Sequence, residues 1–357
     1  MVNEPGGAMS LLYRAWRAYR LRWKRRYLLS RAIRKRRQLT VGQDRTGHIR
    51  PGQILCFCTL RNEALRLPYF IEHHRKLGVD HFLFVDNDST DGTADLLRAM
   101  PDASVWHTRA SYRRSRFGMD WLGWLQLRHG HGHWCLTLDA DELMIYPHHD
   151  VADLRALTGW LDGQGWRNFR TLMIDLYPKG PLNDTPYRAG QNPLDAIAYF
   201  DADNYTDHPR PELQTLLTRG GVRARHFFAK VPHRAPTMNK TPLVKWHWRW
   251  SYLDSTHSLL PPALNRSYPE PGVHRPTGAL LHTKFLNTIV AKSAEEKQRK
   301  EHFSNSALYN DYYNGLIANP DLWTPGAQRF EGWQQLESLG LVTRGAWQPV
   351  DSPNHLR

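Results

Sequence analysis

The stretch His133-Trp134-Cys135-Leu136-Thr137-Leu138-Asp139-Ala140-Asp141-Glu142-Leu143 decides how the chain is read. An apolar run of strand length breaks into three carboxylates, the pattern of a buried strand carrying acidic groups to the lip of a sheet. Side chains two apart on a strand share a face, so Asp139 and Asp141 are expected to point the same way, with Ala140 turned into the fold. Two carboxylates held that close repel unless a cation sits between them. Oxygen ligands call for a hard ion, Mg²⁺ or Mn²⁺ rather than Zn²⁺. The plainer alternative is a strand end with ordinary acidic loop residues.

Outward from this stretch, strand-like runs alternate with helical patterns. Gly52–Thr59 reads as a buried strand that ends in Leu60-Arg61-Asn62-Glu63, and Pro68 then opens a helix with Leu67, Phe70, Ile71 and Leu77 on one face. Val79–Asp86 is a second strand, Asn87–Thr93 a turn into a helix with Leu96, Leu97 and Met100, Ala103–His107 a third strand, and Phe117–Leu127 a helix. This alternation predicts an α/β fold with a Rossmann-like, mostly parallel sheet and helices on both sides. Ligands of such sheets collect at the carboxyl ends of the strands. Three polar clusters fall there: Asn62 with Glu63, Asp86 with Asp88, and Asp139 with Asp141. No glycine-rich phosphate loop follows the first strand, so a bound phosphate has to be neutralised by metal and by arginine, to which Arg61 and Arg116 are assigned. The clusters fit a nucleotide whose base and ribose touch Asn62, Glu63 and Asp86 and whose diphosphate is bridged by the cation at Asp139 and Asp141.

The 357 residues carry a net charge of +14, of which residues 1–50 supply +12 and the remainder +2. Basicity therefore belongs to an N-terminal arm and not to the body. In the arm Leu12, Trp16, Tyr19, Trp23 and Tyr27 recur at helical spacing, while Arg14, Arg17, Arg20, Arg22, Arg25 and Arg26 fill most of the other positions. A helix on an anionic membrane (residues 10–37), a helix docked on protein, and a nucleic-acid arm are the three readings; the membrane is preferred, because Trp and Tyr suit an interface and the body has no nucleic-acid module. No run spans a bilayer and no secretion signal precedes the arm, so a cytoplasmic protein is expected, peripheral on the inner face of the cell membrane. Cys56, Cys58 and Cys135 fall in apolar runs and read as buried free thiols.

Arg61-Asn62-Glu63, Val85-Asp86-Asn87-Asp88-Ser89-Thr90-Asp91-Gly92-Thr93 and Leu138-Asp139-Ala140-Asp141-Glu142 together resemble the ordered signatures of family 2 glycosyltransferases with the GT-A fold, in the bacterial subgroup whose first signature reads Arg-Asn-Glu. The match covers about residues 52–146, and Cys56 and Cys58 depart from the small or hydroxyl residues more usual in the first strand. The resemblance implies a nucleotide-sugar donor, in the first place a UDP-sugar, with Asn62 and Glu63 at the base, Asp86 and Asp88 at the nucleoside, and Asp139 and Asp141 on a Mn²⁺ or Mg²⁺ ion. It implies an inverting transfer to a glycan or lipid-linked acceptor in cell-surface polysaccharide synthesis. It also implies a carboxylate base beyond the metal motif, for which Asp175 is the first candidate and Asp254 the second, and a C-terminal metal histidine, for which His282 comes first and His257 second. A sugar nucleotidylyltransferase and a non-catalytic, membrane-associated nucleotide- or sugar-binding protein are the rivals.

The chain divides into the arm (1–50), a nucleotide-sugar half (51–147), an acceptor-side half (148–288) and a helical extension (289–357). Val151–Leu161 is expected to be a helix and Phe169–Leu176 a buried strand. Arg219-Gly220-Gly221-Val222-Arg223 reads as a hairpin turn or a phosphate approach, and Trp246-His247-Trp248-Arg249-Trp250 as an aromatic strand. From Ile289 the chain reads as helical and charged, with Ser293-Ala294-Glu295-Glu296 resembling a capping start and Lys297, Arg299, Lys300 and His302 in later turns.

Overall fold

The computed structural model describes residues 7–266, 274–299 and 306–349, so that Lys300 and His302 lie outside it, as do the side chains of Glu296 and Arg299. In chain order come α1 (Gly7–Lys35), β1 (Thr40–Gln43), β2 (Ile54–Leu60), α2 (Leu67–Lys76), β3 (His81–Asp86), α3 (Thr93–Ala99), β4 (Ala103–His107), α4 (Met119–His129), β5 (Trp134–Thr137), β6 (Glu142–Ile145), α5 (Leu154–Gly163) and β7 (Asn168–Asp175). Short strands β8 (Tyr199–Phe200), β9 (Thr206–Arg210) and β10 (Thr215–Arg219) follow, then β11 (Asn239–Lys245), the hairpin β12 (Ser251–Asp254) and β13 (Ser258–Leu260), and β14 (Gly278–His282). The chain continues through α6 (Ile289–Arg299), α7 (Ser306–Ile317), β15 (Gln328–Arg329) and α8 (Trp333–Ser338).

Nine strands make one central sheet in the order β1-β4-β3-β2-β5-β11-β7-β14-β6. β2, β3, β4, β5, β7 and β14 run one way, and β1, β6 and β11 run against them. Most carboxyl ends therefore open on one edge. The sheet is covered on both faces, which explains why its strands are apolar without alternation. Along β2, Ile54, Cys56, Cys58 and Leu60 pack with Leu67 and Phe70 of α2 and Leu154 of α5, while Leu55 and Phe57 pack with Trp121, Leu122 and Leu125 of α4. Cys56, Cys58 and Cys135 are buried and free.

The alternating first half follows the sequence closely, and the departures lie where strands run backwards. β1 leads to β2, β5 to β6 and β10 to β11 without an α-helix between, so no crossover pattern announces β1, β6 and β11. Trp246–Trp250 is not a strand: β11 ends at Lys245, Trp246 is buried, and Trp248 sits at an exposed turn. Arg219–Arg223 makes no hairpin; Gly220 and Gly221 lead from β10 into a wide helical turn, Arg223–Phe227, and a Cβ on Gly220 would come within 2.7 Å of the Asn204 carbonyl oxygen. α6 begins at Ile289, where the helical pattern of the sequence starts, but Ser293 lies buried inside the helix and is not its cap.

Two histidines of α2 fix β6 behind the acidic turn. His73 Nε2 lies 2.7 Å from the Met144 carbonyl oxygen, and His74 donates from Nδ1 to the Phe70 carbonyl oxygen while its Nε2 accepts from the Met144 N–H. The two bonds of His74, one given and one accepted, require its ring to be neutral. Burial lowers both pKa values, that of His73 to about 4. An unfolded chain protonates these rings near 6.5, so between that pH and about 4 it binds protons that the folded chain refuses, and stability is lost as pH falls. Urea unfolding at pH 7 and pH 5 is expected to show this loss, and His73→Gln to abolish about 2 kcal/mol of it.

Candidate functional site

The acidic turn closes on itself. β5 stops at Thr137, and Glu142, the first residue of β6, donates its N–H to the Asp139 carbonyl oxygen (3.1 Å) while its Oε2 accepts the Asp139 N–H (3.2 Å). Asp139 and Asp141 thus stand in a turn rather than on a strand, and their side chains face different partners. Asp139 Oδ2 accepts from Lys240 Nζ at 3.0 Å, and Asp141 Oδ2 lies 3.2 Å from His282 Nε2. Lys240, carried by β11, also pairs with buried Glu142. The cation expected between two carboxylates is, at Asp139, an ammonium. Burial opposes its charge, but Asp139 and Glu142 outweigh burial and raise the Lys240 pKa. Burial, with Asp139 close by, pushes Glu142 up to about 7 against the pull of Lys240.

Strand register builds the other side. His282 and Asp175 are paired end residues of the parallel strands β14 and β7. Asp175 Oδ1 lies 2.5 Å from His282 Nδ1, and Asp175 Oδ2 accepts from Arg223 Nε at 2.7 Å. The result is a buried chain, Arg223–Asp175–His282–Asp141. Burial opposes every charge in it, yet pairing prevails: Arg223 and His282 hold Asp175 down at about 2, His282 and Arg66 hold Asp141 well below the carboxylate range, and the two aspartates raise His282.

Asp175 is 1% exposed and both its oxygens are engaged, so it is not the acceptor base expected from the sequence. It orients the imidazole, the arrangement in which a ligating histidine gives its second nitrogen to a carboxylate. Asp254 is exposed at the end of β12, outside the cavity described below. Asp141 and His282 are side chains of types that could hold a divalent ion. Among the described residues no three His, Cys, Asp or Glu side chains converge to hold an ion by themselves.

A cavity of about 330 Å³ opens at this edge. It is lined by Arg61, Asn62, Glu63 and Arg66 after β2, by Asp139–Glu142, and by Arg223, Lys240, His257, His282, Lys284 and Lys292. The β2 loop is stitched to the β3 loop: Arg61 Nη1 donates to the Asn87 carbonyl oxygen (2.8 Å), Asn62 Oδ1 accepts the Thr90 N–H (2.8 Å), and the Glu63 N–H reaches Thr93 Oγ1 (2.9 Å). Asn62 takes φ 52°, a left-handed value that asparagine tolerates. Glu63 pairs with Arg66 (3.0 Å) and with Lys292 of α6 (2.6 Å).

Arg61, Asn62, Glu63, Asp139, Asp141, His257 and His282 are thus brought together, and three other expected donor contacts are not. Asp86 is buried, holding Ser89 and His107 (3.1 Å). Asp88 pairs with Arg61 and Arg109 on the outer side, and Arg116 donates to the Tyr252 and Leu253 carbonyl oxygens. None of the three lines the cavity. Lys240 and Lys292 were not read from the sequence; a lysine inside a strand-length run, in Asn239-Lys240-Thr241-Pro242-Leu243-Val244, is the signal for the first.

The chain matches no protein-family model and no curated protein. Among solved structures it is similar to a mannosyltransferase from Pyrobaculum calidifontis in complex with GDP-Man and Mn²⁺, at 20% identity over 47% of this chain and 48% of that one, with a TM-score of 0.26. It is similar to a 4-diphosphocytidyl-2C-methyl-D-erythritol synthase (16% identity, 41% of this chain and 68% of that one, TM-score 0.24) and to a UDP-glucose pyrophosphorylase from Acinetobacter baumannii (8%, 75% and 100%, 0.28). The chain spans about half the length of the mannosyltransferase.

Breaking the buried chain from one side leaves a cation in low dielectric. Asp175→Ala is expected to cost about 3–5 kcal/mol in urea unfolding, and Asp175→Ala combined with Arg223→Met distinctly less.

Proposed function

We propose that the chain is a glycosyltransferase that moves a sugar from a nucleoside-diphosphate donor to an acceptor hydroxyl with the help of a divalent ion. The observation that carries this reading is the pair Asp141 and His282, delivered by the turn between β5 and β6 and by the end of β14, locked from behind by Asp175 and Arg223, and opening on a cavity with the Arg61-Asn62-Glu63 loop on its other wall. Asp141 and His282 would hold Mn²⁺ or Mg²⁺, which when bound offsets the charge that builds on the departing diphosphate.

The remaining cavity cations divide into paired and unpaired. Lys240 and Lys292 are neutralised by carboxylates, whereas the Lys284 ammonium has no hydrogen-bond or ion-pair partner among the described residues. Burial, with Arg223 and Arg66 nearby, lowers its pKa against the pull of Asp141. A diphosphate oxygen supplies the missing partner, so Lys284 binds the leaving group. The Arg61-Asn62-Glu63 wall takes the nucleoside, for which uracil is the first candidate.

His257 is placed to receive the acceptor's proton. Its Nδ1 lies 2.6 Å from the Asn239 carbonyl oxygen, which can only accept, so Nδ1 carries the proton and Nε2 keeps its lone pair. Burial and Lys240 lower its pKa and keep the ring neutral. The acceptor oxygen attacks the anomeric carbon, the bond from that carbon to the diphosphate breaks with its electrons going to phosphate, and the hydroxyl proton passes to Nε2. Attack opposite the leaving group inverts the anomeric centre, and a glycan or lipid-linked acceptor suits this route.

Release of nucleoside diphosphate from a panel of nucleotide-sugars with Mn²⁺ and candidate glycan acceptors tests the reading. Turnover is expected, falling at least a hundredfold in Asp141→Asn and His282→Gln, and at least tenfold in His257→Gln and Lys284→Met, with circular dichroism unchanged. Pyrophosphate formed from a nucleoside triphosphate and a sugar phosphate, or full activity in Asp141→Asn, would overturn it.

A further inference from the structure

Helix α1 shows two faces, and only one belongs to the body. Leu28 and Ala32 are buried, Leu21 and Leu28 pack against Leu213 and Leu260, and Arg31 bridges to buried Asp120 of α4 (2.6 Å). The helix is therefore fixed to the fold along its C-terminal half. Trp16, Tyr19, Trp23 and Tyr27 are 52%, 55%, 51% and 48% exposed. At 3.6 residues per turn their stripe lies roughly 150° around the helix from the docked one. A stripe kept for the protein's own core would face the other way.

The charges around that stripe are ordered. Arg22 and Arg26 fall on one side of it and Arg20 and Lys24 on the other, and the helix contains no Asp or Glu. Arg20, Lys24 and Arg26 lie 4.7, 5.4 and 5.1 Å from the ring centres of Trp16, Tyr27 and Trp23. Away from this stripe, exposed Trp248 carries Arg249 over its ring, and the like charge of Arg249 reaches Arg25 on the docked side of the helix. No helix among the described residues is long and apolar enough to cross a membrane.

We propose that this face of α1 docks flat on an anionic lipid bilayer, the aromatic stripe entering the headgroup layer and the flanking arginines and lysines pairing with lipid phosphates. Charge decides against a second copy, because two such faces would set cations against cations. It decides against nucleic acid too, since a phosphate backbone calls for cations at the centre of the contact and here the centre is apolar. Because the helix is fixed to α4 and not tethered by a linker, docking also fixes how the body is presented to the membrane.

Co-sedimentation of the full chain with vesicles of phosphatidylcholine alone, and with about one-third phosphatidylglycerol, reads the proposal directly. Binding is expected to the anionic vesicles and at least tenfold weaker to the neutral ones. Both Trp16→Ser/Trp23→Ser and Arg20→Glu/Arg22→Glu/Lys24→Glu/Arg26→Glu are expected to lower anionic binding at least tenfold. All six positions are exposed apart from the docked face, so thermal unfolding is expected to stay as in the parent and to report on folding. Equal binding to both vesicles, no binding to either, or undiminished binding by the charge-reversed variant overturns it. A mass change to dimer that these substitutions abolish, in the absence of vesicle binding, overturns it in favour of a second copy.

Discussion

Buried His282 stands between two carboxylates, and the rest of the cavity edge follows from keeping it there. An imidazole so placed needs one carboxylate to fix its orientation and leaves the other facing the opening. The first, Asp175, would be costly to bury alone, and Arg223 supplies the compensating charge. Arg223 in turn is positioned by the turn that follows Gly220 and Gly221. Parallel pairing of β7 with β14 sets Asp175 and His282 side by side at their last residues, so the register of two strands places the pair without any loop.

The same logic explains the acidic turn. Glu142 is not a third ligand at the lip but the clasp of the turn, buried and paired with Lys240 from β11. Lys240 draws Asp139 toward the sheet, and Asp141 is left to the histidine. One ammonium thus divides the roles of two aspartates that the chain spaces only two residues apart. An antiparallel strand inserted between β5 and β7 is what brings this lysine in.

Local patterning made the first half legible: apolar runs, Pro68 at a helix start and turn residues at strand ends all act within a few residues, and β2, α2, β3, α3, β4, α4 and β5 lie where those signals put them. The mostly parallel sheet follows from the same alternation. What was not legible depends on pairs far apart in the chain. Lys240 meets Asp139 across about a hundred residues, Lys292 meets Glu63 across more than two hundred, and neither pairing has a local signature. Asp86 illustrates the converse: a residue at the right strand end, used inside its own loop and not at the cavity. The aromatic stripe of α1 was visible as periodicity, but which face the body keeps depends on Leu28, Ala32 and Asp120, and the sequence does not pair them.

Calorimetric titration of a nucleoside diphosphate, with and without Mn²⁺, addresses the pair Asp141 and His282 most directly, because it needs neither the sugar nor the acceptor. If these two side chains hold an ion that grips the diphosphate, binding strengthens at least tenfold when Mn²⁺ is added, and His282→Ala removes the gain while leaving the weaker, metal-free binding in place. Affinity that is the same with and without the ion, or a metal-dependent gain that survives His282→Ala, contradicts the assignment.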